Sequence, residues 1–322
     1  MVKFYILQDN HIVIKTLQAV EANIDKSSIV WVDLFSPSAD ELKLIAQHYC
    51  VEFPTSNERE EIEMSSRYWE DHNSITINAY FFIAFFFVQT TKKPYNETVT
   101  FIVQDNILFT LRYAELKTFD EMKKRILARA KEFMNCLDIM IQIFDIRVDA
   151  DADILEYATK EINNLRQSLF SENDKFSDDI LRKIATAQEF NLRIQETVLD
   201  KRRIVTALQK SNKISVSLKE ELIVISKDIN SLIEFTNINQ NSLDNIQNLF
   251  LGQVNIEQNK IIKIFTVASV ALMPPTLIAS VYGMNFHFIP ELNWHFGYLY
   301  SIGLMLTSAA IPLGYFRKRG WL

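Results

Sequence analysis

Two apolar runs, IFTVASVALMPPTLIASVY (264–282) and GYLYSIGLMLTSAAIPLGYF (297–316), constrain this 322-residue chain more than any other feature. Each is long enough to cross the roughly 30 Å hydrocarbon core of a bilayer as a helix, so two membrane spans are expected. The intervening loop, 283–296, holds no Lys or Arg, whereas Arg317, Lys318 and Arg319 follow the second run. By the positive-inside rule both termini then lie in the cytoplasm, with Trp294 and Trp321 at opposite interfaces as an aromatic belt requires. A third run, ITINAYFFIAFFFV (75–88), has only 14 residues and includes Asn78. Rich in β-branched and aromatic side chains, it reads as core strands and not as a span. The opening MVKFYILQDNHIVIK lacks the apolar core and small-residue cleavage site of a signal peptide.

Charge and glycine are both unevenly placed. From Asn259 onward the chain carries a net charge of +4, and the first 258 residues carry −10. An acidic body on a basic membrane end argues against nucleic-acid binding. It suits a protein that handles cations, although a merely solvated acidic surface accounts for the charge equally well. All six glycines lie in the last 71 residues. A nucleotide-binding loop needs glycine for close backbone approach to phosphate, so no nucleotide site is expected in the first 251 residues. No GxSxG, HExxH or EF-hand loop is present either. Neither an enzyme nor an ATP-driven pump is expected. Cys50 and Cys136 form no CxxC pair, which fits a reduced compartment.

Residues 1–112 read as mixed α/β. VKFYILQ and HIVIKT flank Asp9-Asn10, and ETVTFIVQ and NILFTLR flank Asp105-Asn106, so two hairpins are predicted. IVWVDLF is a buried-strand run. In SPSADELKLIAQHY, Ser36 is placed as the helix cap with Pro37 at the first helical position. From 113 to 258 the pattern is helical, and no proline occurs between Pro94 and Pro274. SENDKFSDD (171–179) and SNKISVS (211–217) are polar breaks. Beyond the second, Leu218, Leu222, Ile225, Ile229 and Leu232 form a heptad seam. Nothing stops this helix before the membrane, so one helix of about 100 Å is expected from roughly 217 to 283. Such a helix must lean on others, and self-association is expected. The domain boundaries are 1–258 for the cytoplasmic part and 259–322 for the membrane part, with the spans at about 264–282 and 297–316.

One face of the long helix has an unusual composition. Asn241, Asn245, Asn248, Gly252, Asn255, Asn259, Ile262, Thr266, Ser269, Met273, Thr276, Ser280 and Gly283 follow alternating steps of four and three. They define one seam of period 3.5 that is polar or small almost throughout, even inside the membrane. Leu243, Ile246, Phe250, Val267, Leu272 and Leu277 lie on the other faces. In lipid, polar groups turn toward water or protein, so the seam faces either a water-filled axis or a tight helix interface. Small-residue packing explains Ser269, Ser280 and Gly283. It explains five asparagines outside the membrane less well. The seam has no carboxylate, which suits Mg²⁺. That ion sheds water reluctantly, and neutral amides and hydroxyls hold its water shell without trapping it. Ile262 and Met273 are apolar points able to gate by dewetting, and Pro274-Pro275 removes helical hydrogen bonds beside the second.

Asp145, Asp149, Asp153 and Glu156 fall on one face of an earlier helix. Like charges at this spacing destabilise a helix unless something compensates. A regulatory metal is one compensation. Pairing around Arg147, solvation, or partners such as Arg182, Lys183, Arg193, Lys201, Arg202 and Arg203 on the next helix are others. His287 and His295 flank the loop between the spans, where packing roles compete with binding of Co²⁺ or Ni²⁺.

Tyr282-Gly283-Met284-Asn285-Phe286 closes the first span, IPELNW (289–294) follows, and a basic segment ends in Gly320-Trp321-Leu322. This combination resembles the CorA family of magnesium transporters, whose signature is Gly-Met-Asn. The likeness is firm over the last 65 residues, and WVDLFSPSADEL and RVDADADILEYATKEI extend it more loosely. The resemblance implies a homopentamer with a cytoplasmic α/β/α domain, long helices forming a funnel, and two membrane helices per subunit. The first span would line the pore and the second surround it. Gly283, Met284 and Asn285 would form the outer selectivity ring. Asn259, Met273 and Thr276 match pore positions, and Glu291 lies in the entrance loop. Relatives close when cytoplasmic Mg²⁺ sits between subunits on acidic residues, which makes Asp149, with Asp145 and Asp153, the sensor candidate. Two departures are Ile289, where methionine is usual, and Asn248, where some relatives carry an acid.

The expected function is therefore passive Mg²⁺ uptake across the inner membrane through a homopentameric pore in the bilayer. No organic cofactor, nucleotide or nucleic-acid partner is implied. A Co²⁺/Ni²⁺ or Zn²⁺ transporter of the same superfamily is the nearest alternative. A non-conducting membrane-anchored sensor or scaffold is a rival from another class.

Overall fold

In the computed structural model, residues 1–9, 11–17, 26–61, 63–84, 94–169, 178–285, 287, 289–291 and 293–321 are described in full, with backbone only for Leu292. The helix beginning at Asp178 is described from Asp179 on as regards side chains. The chain divides into two compact units, Met1–Asn245 and Ile246–Leu322.

Two antiparallel hairpins organise the first unit. Strands β1 (Val2–Gln8) and β2 (His11–Thr16) pair antiparallel, with Gln8 opposite His11. Strands β6 (Tyr95–Gln104) and β7 (Ile107–Arg112) pair with Gln104 opposite Ile107. At that turn Asp105 and Asn106 both adopt positive φ, 51° and 59°, the left-handed geometry a two-residue hairpin needs. β3 (Ile29–Phe35) lies antiparallel to β1 and parallel to β7. With β4 (Tyr68–Glu70) and β5 (Ser74–Ile83) they make a seven-stranded sheet of order β2-β1-β3-β7-β6-β5-β4. The predicted strand run 75–88 is β5 as far as Ile83, and its last residues, 85–88, lie outside the described residues.

Alternation along the strands feeds two cores, giving an α/β/α arrangement. On one face Phe4, Val32, Leu34, Phe109 and Leu111 pack with Ile45 and Tyr49 of helix α1 (Ala39–Tyr49). Helix α1 starts two residues later than expected. Its cap is Ser38, in a reciprocal capping box with Glu41, and Ser36 instead sits at φ 42° with its N–H on the Arg112 carbonyl. Ser38 wins because Glu41 stands three residues on and returns a bond to its backbone. Two short helices follow, α2 (Ser56–Glu60) and α3 (Met64–Arg67).

The opposite face of the sheet carries the larger core. Trp31, Ile77, Phe81 and Phe101 pack there with α4 (Lys117–Ala128), α5 (Cys136–Ser168), α6 (Asp178–Lys210) and the start of α7 (Val216–Tyr282). The two polar breaks fall where expected: α5 ends before 171–179, most of which lies outside the described residues, and α7 begins after 211–215. The heptad seam Leu218, Leu222, Ile225, Ile229 and Leu232 is buried in this core. It is therefore covered within the chain and does not by itself call for a second copy.

The edge of β5 is closed in an unusual way. β4 pairs only with Ile75–Ile77, and farther along charged side chains take the place of a strand. Arg67 donates to the Asn78 carbonyl at 3.3 Å, and Asp200 accepts from the Tyr80 N–H at 2.8 Å. Lys201 donates to the Tyr80 carbonyl at 2.7 Å and Arg147 to that of Phe82 at 2.9 Å. These groups also pair with one another. Asp151 bonds Arg147 and lies 2.9 Å from the Lys201 ammonium, and Arg67 lies 3.6 Å from Asp200. Buried charge is tolerable only when paired and hydrogen-bonded; here the backbone edge supplies part of the partners, while Arg67 Nη2 and Arg147 Nε make no hydrogen bond among the described residues.

In the second unit α7 continues to Tyr282, a short 3₁₀ turn spans Pro290–Asn293, and α8 covers Gly297–Lys318. Both helices are long and apolar enough to cross a membrane. Phe265, Leu272 and Leu277 on α7, and Tyr298, Leu306 and Ile311 on α8, are all more than half exposed. A soluble protein rarely shows apolar surface on this scale.

Candidate functional site

The seam predicted from spacing runs down α7 without interruption. From Asn241 to Gly283 every member is exposed in the single chain except Thr266, which is half-buried. Val267 and Ala271, on another face, are buried. Ile262 and Met273, the apolar points of the seam, are 58% and 69% exposed. Among the described residues little covers them, which leaves this face open to a partner from outside the chain.

Hydroxyl orientation gives the seam a definite polarity. Thr266 donates to the Ile262 carbonyl at 2.8 Å, Thr276 to Leu272 at 2.7 Å and Ser280 to Thr276 at 2.8 Å. Each hydroxyl proton is thus used one turn back, which leaves the oxygen lone pairs free. A hydrated cation presents water hydrogens outward and is met by acceptors of this kind. Pro274 and Pro275 lie inside α7. Lacking N–H groups, they leave the carbonyls of Val270 and Ala271 without their usual helical donors, adding acceptors beside Met273.

The helix stops at the Gly-Met-Asn triplet. The Gly283 N–H still bonds the Ala279 carbonyl at 2.9 Å, and that of Met284 turns to Val281 at 3.3 Å. A Cβ on Gly283 would stand 3.0 Å from the Ala279 carbonyl oxygen, so glycine lets the chain leave the helix tightly. Met284 and Asn285 follow, both exposed.

Glu291 sits half-buried in the 3₁₀ turn. That turn is locked onto α8 by a contact that spacing did not reveal. A Cβ on Gly297 would lie 2.2 Å from the Glu291 carbonyl oxygen, closer than any side chain tolerates. Of the two loop histidines, His295 packs edge-on against Phe296, with ring centroids 5.1 Å apart.

The acidic face of α5 resolves into two populations. Asp149 and Asp153 are exposed, and Asp145 is half-buried with Gln142 at 2.8 Å and Arg125 at 3.8 Å. Partial burial, with Asp145 and then Asp228 and Asp153 nearby, pushes the Asp149 carboxyl above its usual range, against the pull of Arg125. Arg147 turns away from this face and pairs with Asp151, a residue the acidic pattern passed over. On the next helix Lys183 pairs with Asp179, Arg193 with Glu196 and Lys201 with Asp151, so those cations do not neutralise Asp149. Among the described residues of one chain, no three His, Cys, Asp or Glu side chains converge as a metal site.

A sheet domain carrying a 67-residue helix that runs into one apolar span, with a second span beyond, defines a two-span membrane-protein class. The family model described as CorA-like Mg²⁺ transporter protein matches residues 26–318. The magnesium transport protein CorA of Wolinella succinogenes is 47% identical over 322 residues, covering all of both chains. That of Campylobacter jejuni is 46% identical, again over all of both chains. In fold, the complete CorA magnesium transporter structure from Methanocaldococcus jannaschii matches with a TM-score of 0.82 at 18% identity, over 100% of this chain and 99% of that one. The chain belongs to the CorA-like Mg²⁺ transporter family. This is a family of ion transporters and not of enzymes.

Proposed function

We propose that the protein carries Mg²⁺ passively across the inner membrane, through a pore lined by the α7 seam of several copies. The observation that carries this reading is the seam itself, polar or small from Asn241 to Gly283 but for Ile262 and Met273, exposed but for half-buried Thr266, and with the hydroxyl protons of Thr266, Thr276 and Ser280 used inside the helix. Asn259, Thr266, Ser269, Thr276 and Ser280 supply acceptors to a hydrated ion. Gly283, Met284 and Asn285 form the outer selectivity ring in a homopentamer, where five asparagine carbonyls hold the water shell. Glu291 concentrates cations at the entrance. Ile262 and Met273 narrow the path. Both termini face the cytoplasm, and an inside-negative potential supplies about 2.3 kcal/mol per charge per 100 mV, doubled for Mg²⁺. No coupled energy source is then needed.

Closure by cytoplasmic Mg²⁺ belongs to the same reading. A cation beside Asp149, Asp145 and Asp153 relieves the crowding that raises the Asp149 carboxyl, and its remaining ligands are water and acids of a neighbouring copy. Flux into liposomes containing the full chain, compared for Mg²⁺, Co²⁺, Ni²⁺ and Zn²⁺, tests the proposal. Mg²⁺ entry that depends on the imposed potential is expected. A preference for Zn²⁺ or Co²⁺ would reassign the cargo, and no flux of any ion would leave a non-conducting scaffold.

A further inference from the structure

The cations at one end of the two spans remain unexplained by the pore. Lys260 and Lys263 on α7, and Arg317, Lys318 and Arg319 at the end of α8, are all exposed, and none has an ion-pair partner among the described residues. The second unit contains only two acids, Glu257 and Glu291. Glu291 lies in the loop at the far end of the spans.

The cations share one level. Lys263 precedes Gly283, and Gly297 precedes Arg317, by the same interval, about 30 Å of helix in each case. That length matches the hydrocarbon thickness. The backbone after α8 holds the group in place. Gly320 takes φ 71°, and the Trp321 N–H returns to the Phe316 carbonyl at 3.0 Å. This left-handed turn stacks the Trp321 ring on Phe316, with centroids 5.2 Å apart, and sets the Lys263 ammonium 5.8 Å from the Trp321 ring. The Trp321 ring is thus fixed beside Lys263 of α7, two residues on from Arg319, whose guanidinium lies 5.7 Å from the Tyr315 ring.

We propose that this Trp321-centred cluster is a binding site for an anionic phospholipid headgroup in the leaflet that holds residues 317–321. Lys263, Lys318 and Arg319 meet the phosphate, and Trp321 lies along the upper acyl chain. Basic groups between membrane helices at this depth bind anionic headgroups, each contributing about fivefold in association. Aromatic rings favour the same boundary. The proposal rests on the membrane reading of α7 and α8.

The test is tryptophan fluorescence quenching by brominated lipid, on the full chain in vesicles. Brominated phosphatidylglycerol is compared with brominated phosphatidylcholine, and Trp321→Phe is used to subtract the other tryptophans. The expected result is quenching of Trp321 by both lipids, with at least about fivefold higher association for the anionic one. Lys318→Gln with Arg319→Gln should bring that ratio close to one, and the parent ratio decides the matter if this variant does not fold. Equal quenching by the two lipids in the parent overturns the proposal. So does an anionic preference abolished by excess inorganic phosphate, which would make free phosphate the ligand. Absence of quenching by either lipid would instead refute the membrane placement.

Discussion

Asp149 and Asp151 stand two residues apart in RVDADAD, yet replacing them should have opposite effects. Asp151 is 1% exposed between Arg147 and Lys201. Asp151→Ala leaves two buried cations without their anion, and breaking a buried pair in this way costs about 3–5 kcal/mol. The two cations respond differently. Arg147 cannot release its proton. Lys201 can, because burial already holds its pKa down to about 8 against the support of Asp151. At neutral pH only about one pH unit separates Lys201 from neutrality, so its share of the loss is limited to about 1.4 kcal/mol, and Arg147 carries the rest. The sign of the pH dependence follows. Lys201 is depressed in the folded chain, more so in the variant, so between the folded value and about 10.4 the unfolded chain holds the extra proton and stability rises with pH. That rise begins at lower pH in the variant, and the deficit against the parent should shrink from pH 7 to pH 9. Thermal unfolding of the full chain in detergent, followed by near-UV circular dichroism, should show a loss on the order of 10 °C at pH 7. Asp149→Asn should do the reverse in Mg²⁺-free buffer. Its carboxyl is raised in the fold, so the ionised form weakens the native state above that raised value, and the amide should raise the melting temperature slightly. Asp151→Ala melting with the parent at pH 7 would refute the buried-triad reasoning.

The pathway supports three further predictions. Asn285→Ala should lower Mg²⁺ flux into liposomes about tenfold or more with the oligomer intact by light scattering, since a hydrogen bond to a charged group contributes about 1.5 kcal/mol or more; normal uptake would remove Asn285 from the filter. Met273→Ser replaces a bulky exposed apolar group with a small hydroxyl, and should raise Mg²⁺ leak in preloaded liposomes while assembly is retained; a parent-like closed state would move the constriction to Ile262. Gly297→Ala forces a Cβ toward the Glu291 carbonyl and should cost about 1–3 kcal/mol or displace the turn, read as reduced Mg²⁺ affinity for entry; unchanged flux and melting would show that the loop yields freely.

Much of this could be read before the fold was known. The hairpin between β6 and β7 was legible because an Asp-Asn pair accepts positive φ, as Asp105 and Asn106 do, and the spans because length and composition suffice. The seam was legible because a period of 3.5 survives over more than forty residues of one helix. What was not legible depends on residues distant in sequence. The seam from Leu218 to Leu232 showed its pattern and not its cover, which is the same chain's sheet and helices. Asp151 was passed over because charged residues are seldom buried, and its partner Lys201 lies fifty positions on. Gly297 could be seen as a glycine, but its closeness to Glu291 is a tertiary fact. The cap of α1 is legible in the sequence itself, since Ser38 has Glu41 three residues on and Ser36 has no such partner.

The closed edge of β5 also has a consequence in time. Tyr80 finds its partners at Asp200 and Lys201, separated from it by 120 and 121 residues. A ribosome adding about 5–20 residues per second takes roughly 6–24 s to make that interval. Until then a strand rich in phenylalanine has a bare edge, the kind of surface on which nascent chains stick to one another. Synthesis of this protein therefore includes an interval of exposure that ends only when α6 has emerged, and the growing chain should be most dependent on chaperones between the completion of β5 and that moment.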